Sequence, residues 1–188
     1  LAVTDPDAGN GIVTVTLSVA SGSLAASATS GVTVSGSGTG TLVFSGTVAD
    51  INALLAGSAP VYTPVANANG AVQLTMATND GGNYGGAALS DTDTSTINIA
   101  AVNDQPVRTG GAVNPLTVLE DSGTTGLGLG AVAYGNGGGA DEAGQTLTYT
   151  VTALPAAALG SIVLADGTTA VTLNGVYTLA QIRDRKST

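Results

Sequence analysis

The chain has 188 residues, with 13 acidic against four basic side chains and a formal net charge of −9, a balance that argues against nucleic acid or an anionic membrane surface as partner. It contains no Cys and no His, which rules out disulfides, thiol chemistry and thiolate or imidazole metal sites, and leaves serine nucleophiles without an evident base. Apolar residues make up 43% but aromatics only 3%, so the core must be Val, Leu, Ile and Ala, with Thr on the strand faces.

The length allows one or two domains. The 28 glycines and the abundant Thr, Ser and Asn indicate short strands joined by many turns, the all-β pattern. No apolar run approaches the ~20 residues of a membrane helix, so no membrane insertion is expected of this segment. The opening residues do not read as a signal peptide.

In chain order, Leu1–Gly11 is a cluster of turn formers with Asp5 and Asp7 flanking Pro6. Ile12–Val19 alternates apolar with Thr or Ser and predicts a half-buried strand. A turn at Gly22–Ser23 leads to short strands at Val32–Ser35 and Thr41–Ser45, with the Gly-Ser run between them read as a hairpin turn. Thr47–Gly57 carries the one helical signal of this half. Thr47 and Asp50 have capping-box spacing, Ile51, Leu54 and Leu55 form an apolar stripe, and Gly57 suits the end. Strands resume at Val61–Thr63, Ala71–Thr78 and Ser95–Val102, the last two joined by a loop rich in Asp, Asn and Gly. After Pro106 the pattern starts over, with an apolar Leu116–Leu119, a glycine-interrupted Leu127–Tyr134, an acidic Gly-rich turn, an alternating Gln145–Thr152, and Ser161–Leu164 and Val171–Leu173.

Internal repetition accompanies this restart. Thr4–Val19 lines up loosely with Ala140–Val151, and Ser45–Ile51 with Gly175–Ile182, where Thr178 and Gln181 repeat the capping-box spacing. Two copies of one unit are expected, over residues 1–106 and 107–188. The first lacks a counterpart of Val107–Gly139 and the second a counterpart of Ala71–Asn103, as in a crop from a longer tandem array. A sheet short of one strand exposes an edge or apolar groove, so association or domain swapping is expected.

Seven carboxylates lie between Leu1 and Val107, with no lysine or arginine among them. Acids at i, i+2 occur at Asp5/Asp7 and Asp91/Asp93, adjacent acids at Glu120-Asp121 and Asp141-Glu142, and Asn-Asp pairs at Asn79-Asp80 and Asn103-Asp104. Calcium takes about six to eight oxygens in irregular geometry, and such turns supply them. Each motif alone is ordinary turn chemistry. As a set without cations, they would repel one another unless metal ions bind. Asp50 is read as a helix cap and Asp166 as a turn residue.

The succession Ala77-Thr78-Asn79-Asp80-Gly81-Gly82, Leu89-Ser90, a strand, and Val102-Asn103-Asp104-Gln105-Pro106 resembles the second half of a cadherin repeat. With Glu120-Asp121-Ser122 and Asp141–Val151, the chain is similar to the cadherin-like tandem repeats of large RTX-type bacterial surface adhesins. The resemblance implies tandem Ig-like, cadherin-like antiparallel β-sandwiches with Greek-key connections. It implies that Asn103, Asp104, Glu120, Asp121, Asp141 and Glu142 hold Ca2+ at the linker, and that Asp5, Asp7 and Asp80 sit at the opposite end of the first copy. Ala101 stands where that linker has an acid, and Gln105 where it has an Asn, so one or two ions are expected. Asp91 and Asp93 suit a metal, though the family pattern does not require them.

The expected role is thus a calcium-stiffened, extracellular structural repeat of a cell-surface adhesin. Its partners would be adjacent repeats of the same chain, with homophilic or host-surface contacts open. A glycan- or protein-binding module is the alternative, with Tyr84 as its sole loop aromatic platform. An enzyme is not expected, because every candidate carboxylate pair sits in a turn better explained by metal.

Overall fold

Alternation is strongest in Val13–Val19, and this strand, β1, becomes the centre of the first half of the protein. The structure, a computed structural model, describes residues 1–83, 85–183 and 186–187. The chain is mostly β with antiparallel sheets and divides into two compact units, Leu1–Val102 and Asn103–Thr188. The division falls between Val102 and Asn103, whereas the sequence places it after Pro106.

In the first unit, β2 (Ser23–Ala25), β3 (Val32–Ser35), β4 (Thr41–Gly46), helix α1 (Val48–Gly57), β5 (Val61–Thr63), β6 (Gly70–Asn79) and β7 (Ser90–Ile99) follow β1. The main sheet has the order β3-β4-β1-β6-β7, and β2 pairs with β5 separately. Period-two burial in β1 turns Val13, Val15 and Leu17 to the core. Their cross-strand partners include Phe44 opposite Val15, and Leu42 and Met76 opposite Leu17, all buried. Ile51, Leu54 and Leu55 of α1 close the same core. The Thr47 hydroxyl accepts from the Asp50 amide at 3.2 Å and donates to its carboxylate at 2.7 Å, so the helix starts where the capping box predicts.

Two features of this unit depart from what the sequence pattern predicts. Val3 and Ala8, in a stretch read only as turns, are buried in the core. Asn52 of α1 clamps Val3 there, its side-chain oxygen accepting from the Val3 N–H and its amide donating to the Val3 carbonyl, each at 2.8 Å. Strand β7 begins at Ser90 rather than Ser95, because it pairs with β6 over the whole register from Gly70↔Ile99 to Asn79↔Ser90. Asp91 and Asp93 therefore lie on a strand and not in the loop.

The second unit has shorter pairings. Strands β8 (Val107–Gly110) and β10 (Ala133–Gly135) pair, β11 (Tyr149–Thr150) pairs with β13 (Val176–Tyr177), and β12 (Ile162–Val163), β14 (Lys186–Ser187) and β9 (Thr125–Gly126) form a three-stranded sheet. Helix α2 (Leu179–Arg183) follows β13 as α1 follows β4. Its start has the predicted reciprocal cap, with Thr178 N–H donating to the Gln181 side chain at 2.9 Å and Gln181 N–H to the Thr178 hydroxyl at 3.4 Å. Leu116–Leu119 forms no strand, Leu127–Tyr134 is paired only at its end, and in Gln145–Thr152 the strand covers Tyr149–Thr150, with Val151 hydrogen-bonded to Gly175 and Asn174. The small core cluster holds Val151, Leu164 and Val171, with Ile162 and Tyr177 packed against it.

Candidate metal centres

Asp80 organises the loop between β6 and β7. Its Oδ1 accepts from the Gly82 N–H at 2.9 Å and the Leu89 N–H at 2.8 Å. These donors favour the charged form and hold its carboxyl below the ordinary aspartate value. Asn79 caps Gly81 N–H at 2.9 Å and donates to the Ser90 hydroxyl at 2.8 Å, while Asn83 donates to the Ile12 carbonyl at 2.9 Å. The loop is therefore tied to the residue that leads into β1 as well as to its own strands.

Facing it, Asp5 Oδ1 accepts from the Asp7 and Ala8 amides at 3.3 and 3.2 Å. Asp5 also raises the Asp7 carboxyl above its usual value, through a side-chain hydrogen bond and charge repulsion, with Asp80 contributing least. Asp91 and Asp93 stand opposite Thr78 and Met76 in the β6–β7 register, so they share the sheet face that carries buried Met76. The result is an open cleft of about 370 Å³ lined by Asp5, Asp7, Asp80, Asp91 and Asp93. The fold thus gathers five acids that are far apart in sequence. Among the described residues, however, no three carboxylates are drawn together closely enough to cage an ion.

The second grouping lies at the start of the second unit. Glu142, closing a short 3-10 turn over Ala140–Glu142, is only 2% exposed. Its Oε1 accepts from the Asp104 N–H at 3.1 Å, and its Oε2 is buried with no hydrogen-bond partner. Asn136 donates to the Glu142 and Gln145 carbonyls, and Gln145 donates to Asn103 Oδ1 at 3.2 Å. Gly138, at φ +42°, lies so close that a Cβ there would come 2.5 Å from Asp104 Oδ2 and 2.7 Å from Glu142 Cγ. A Cβ on Gly137 would strike the Gln105 carbonyl oxygen at 2.3 Å. The glycine run is thus what lets the Asn103–Gln105 segment lie against the acidic turn.

Asn103, Asp104, Asp141 and Glu142 are accordingly neighbours, with Asp141 exposed beside the buried Glu142. Glu120 and Asp121 lie in an exposed turn, and among the described residues no hydrogen bond joins them to this group. Asn136, Gly137, Gly138 and Gln145 carry no ligand-type spacing that marks them in the sequence. The signal available for them was the glycine triplet directly before Ala140-Asp141-Glu142. Asp166 forms the expected turn, its Oδ1 accepting from the Thr168 and Thr169 amides at 2.9 and 2.8 Å and its Oδ2 from the Thr169 hydroxyl. These donors lower its carboxyl to about 2. Tyr84 lies outside the described residues. No known protein family, curated protein or solved structure matches this chain.

Proposed function

We propose that the chain is a calcium-stiffened structural repeat of a bacterial cell-surface adhesin, built from cadherin-like β-sandwich copies and acting outside the cell as a spacer or adhesion module without enzymatic activity. The observation that carries this reading is the Glu142 carboxylate, buried with Oε2 unpartnered beside Asp104. Leaving a buried polar atom unsatisfied costs about 1–3 kcal/mol, and more for a charged group. A bound cation replaces the missing donor. The surroundings suit a hard ion: carboxylate and carbonyl oxygens, no nitrogen or sulfur ligand, and a glycine hollow at Gly138 that a side chain would fill. Asp104 and Glu142 would hold Ca2+, with Asp141 and Asn103 adjacent. The ion supplies positive charge and fixes the oxygen atoms around it.

Tying Asp104 to Glu142 through calcium restrains the Asn103–Pro106 segment. The five-acid cleft of the first unit supports the same reading more weakly, since it holds no buried, unpartnered carboxylate oxygen; at both places the carboxylates must draw inward to share an ion. Limited proteolysis tests the proposal. Cleavage between Ala100 and Pro106 should be slow with calcium and fast with chelator, because linkage stabilises the bound form. Equal cleavage rates in both conditions would rule out a stiffening role.

A further inference from the structure

The Glu142 turn also carries a reactive bond that the calcium reading leaves unused. Four Asn-Gly steps occur in the chain, at Asn10-Gly11, Asn69-Gly70, Asn136-Gly137 and Asn174-Gly175. Such a step can close on itself, because glycine has no side chain to keep its main-chain nitrogen away from the preceding amide carbon. An intramolecular reaction goes only when the reacting atoms reach near-attack geometry. A hydrogen bond that pins either the glycine N–H or the asparagine side chain therefore holds the step back.

Three of the four steps are pinned at the glycine. Gly11 N–H donates to the Ala8 carbonyl at 2.7 Å, and Gly175 N–H to the Thr172 carbonyl at 3.0 Å. Gly70 stands opposite Ile99 on the β6–β7 ladder, along which Asp80 N–H donates to the Leu89 carbonyl at 3.1 Å. Hydrogen-bonded pairs recur at every second residue of an antiparallel ladder, and Gly70 is an even number of residues from Asp80, so its N–H faces the Ile99 carbonyl. The side chains of Asn10, Asn69 and Asn174 are exposed.

At Asn136 the arrangement is reversed. Among the described residues no acceptor holds the Gly137 N–H, and Gly137 takes φ +82°. The side chain is pinned instead, its amide donating to the Glu142 carbonyl and, at 3.1 Å, to the Gln145 carbonyl. One of these acceptors belongs to the residue whose carboxylate oxygen is buried and unpartnered. The clamp on Asn136 and the candidate ion thus share Glu142.

We propose that Asn136-Gly137 is a deamidation site that bound calcium keeps closed, an inference that rests on the reading of Glu142 as a calcium ligand. Without the ion the buried carboxylate has no partner, the turn opens, and the Asn136 side chain leaves its two carbonyls. The Gly137 nitrogen then attacks Asn136 Cγ. Its bond to Cγ forms, the Cγ–Nδ2 bond breaks, and the departing nitrogen takes up the proton that Gly137 loses, leaving as ammonia. Water opens the resulting cyclic imide to an aspartyl or isoaspartyl residue, so the net change is amide plus water to carboxylic acid plus ammonia. The new carboxylate has no N–H for the Glu142 and Gln145 carbonyls and repels them. The turn cannot re-form as before, and calcium binding stays weakened.

The test is peptide mapping by mass spectrometry of the whole chain, aged in mildly alkaline buffer with calcium or with chelator. In chelator Asn136 should convert at least tenfold faster than Asn10, Asn69 or Asn174, and calcium should slow it at least tenfold. Asn136→Asp, which carries the product side chain, should bind calcium at least tenfold more weakly than the parent by calorimetry. Conversion of Asn136 no faster than the other three in chelator, or equal calcium binding by the variant, would overturn the proposal even where the parent binds calcium. A parent that binds no calcium, with Asn136 converting fastest in both conditions alike, would overturn the calcium reading and the gate with it.

Discussion

Replacing Gly138 by Ala perturbs the acidic turn at its tightest point. A Cβ there lies 2.5 Å from Asp104 Oδ2 and 2.7 Å from Glu142 Cγ, well inside ordinary contact, and the residue sits at φ +42°. The left-handed backbone region costs a non-glycine residue about 1–2 kcal/mol. Forced overpacking adds about 1–3 kcal/mol, giving roughly 2–5 kcal/mol in all. Gly144→Ala is the control, since its Cβ meets nothing within 4 Å. Urea unfolding in chelator isolates the effect on the fold, and calcium titration then reads displacement of Asp104 from Glu142. Gly138→Ala should lower the stability of the second unit and weaken calcium binding at least tenfold, with Gly144→Ala close to the parent in both. Equal behaviour of the two variants would refute the close approach of Asp104 to the turn.

Phe44 is fully buried between Val15 and the rest of the first core, so Phe44→Ala should cost about 3–5 kcal/mol by urea denaturation. A loss below about 1 kcal/mol would contradict that packing. Thr47→Ala removes the cap of α1 and should cost about 1 kcal/mol, while Thr47→Ser, which keeps the hydroxyl, should cost far less. The Asp166 carboxyl is lowered from 3.8 to about 2, so its contribution is present above the unfolded value and is lost as pH falls through the folded one. Parent and Asp166→Asn stabilities should therefore converge toward pH 2, and a carboxyl titration with an ordinary midpoint would refute the turn's hydrogen bonding.

Helix α1 was legible in the sequence because its cap is a local signal, with Thr47 and Asp50 three residues apart and the apolar stripe directly after. Strands β1, β3, β4 and β5 were legible for a similar reason, through alternation or a short apolar run between turns. Strand β7 was not, over Ser90–Thr94, because those residues are polar on both faces and become a strand only by pairing with β6. At Gln145–Thr152 the alternation is clean, yet only Tyr149–Val151 is hydrogen-bonded to a neighbouring segment, since alternation does not supply the partner strand. At the acidic turns, the cadherin-like resemblance groups Asn103, Asp104, Glu120, Asp121, Asp141 and Glu142; Asn103-Asp104 does lie against the Asp141-Glu142 turn, whereas Glu120 and Asp121 lie in an exposed turn. Which acid is buried depends on Asn136 and the glycines folding the turn back on the Asn103–Gln105 segment, a long-range fact that no spacing carries.

The most direct test of the calcium reading is calorimetric titration of calcium into chelator-treated protein, with the parent and Glu142→Gln side by side. The account predicts a saturable heat for the parent and binding at least tenfold weaker for the variant. Without calcium the variant should be as stable as the parent or more so, because it buries no charge. A parent that binds no calcium, or a variant that binds it as tightly as the parent, would contradict the account.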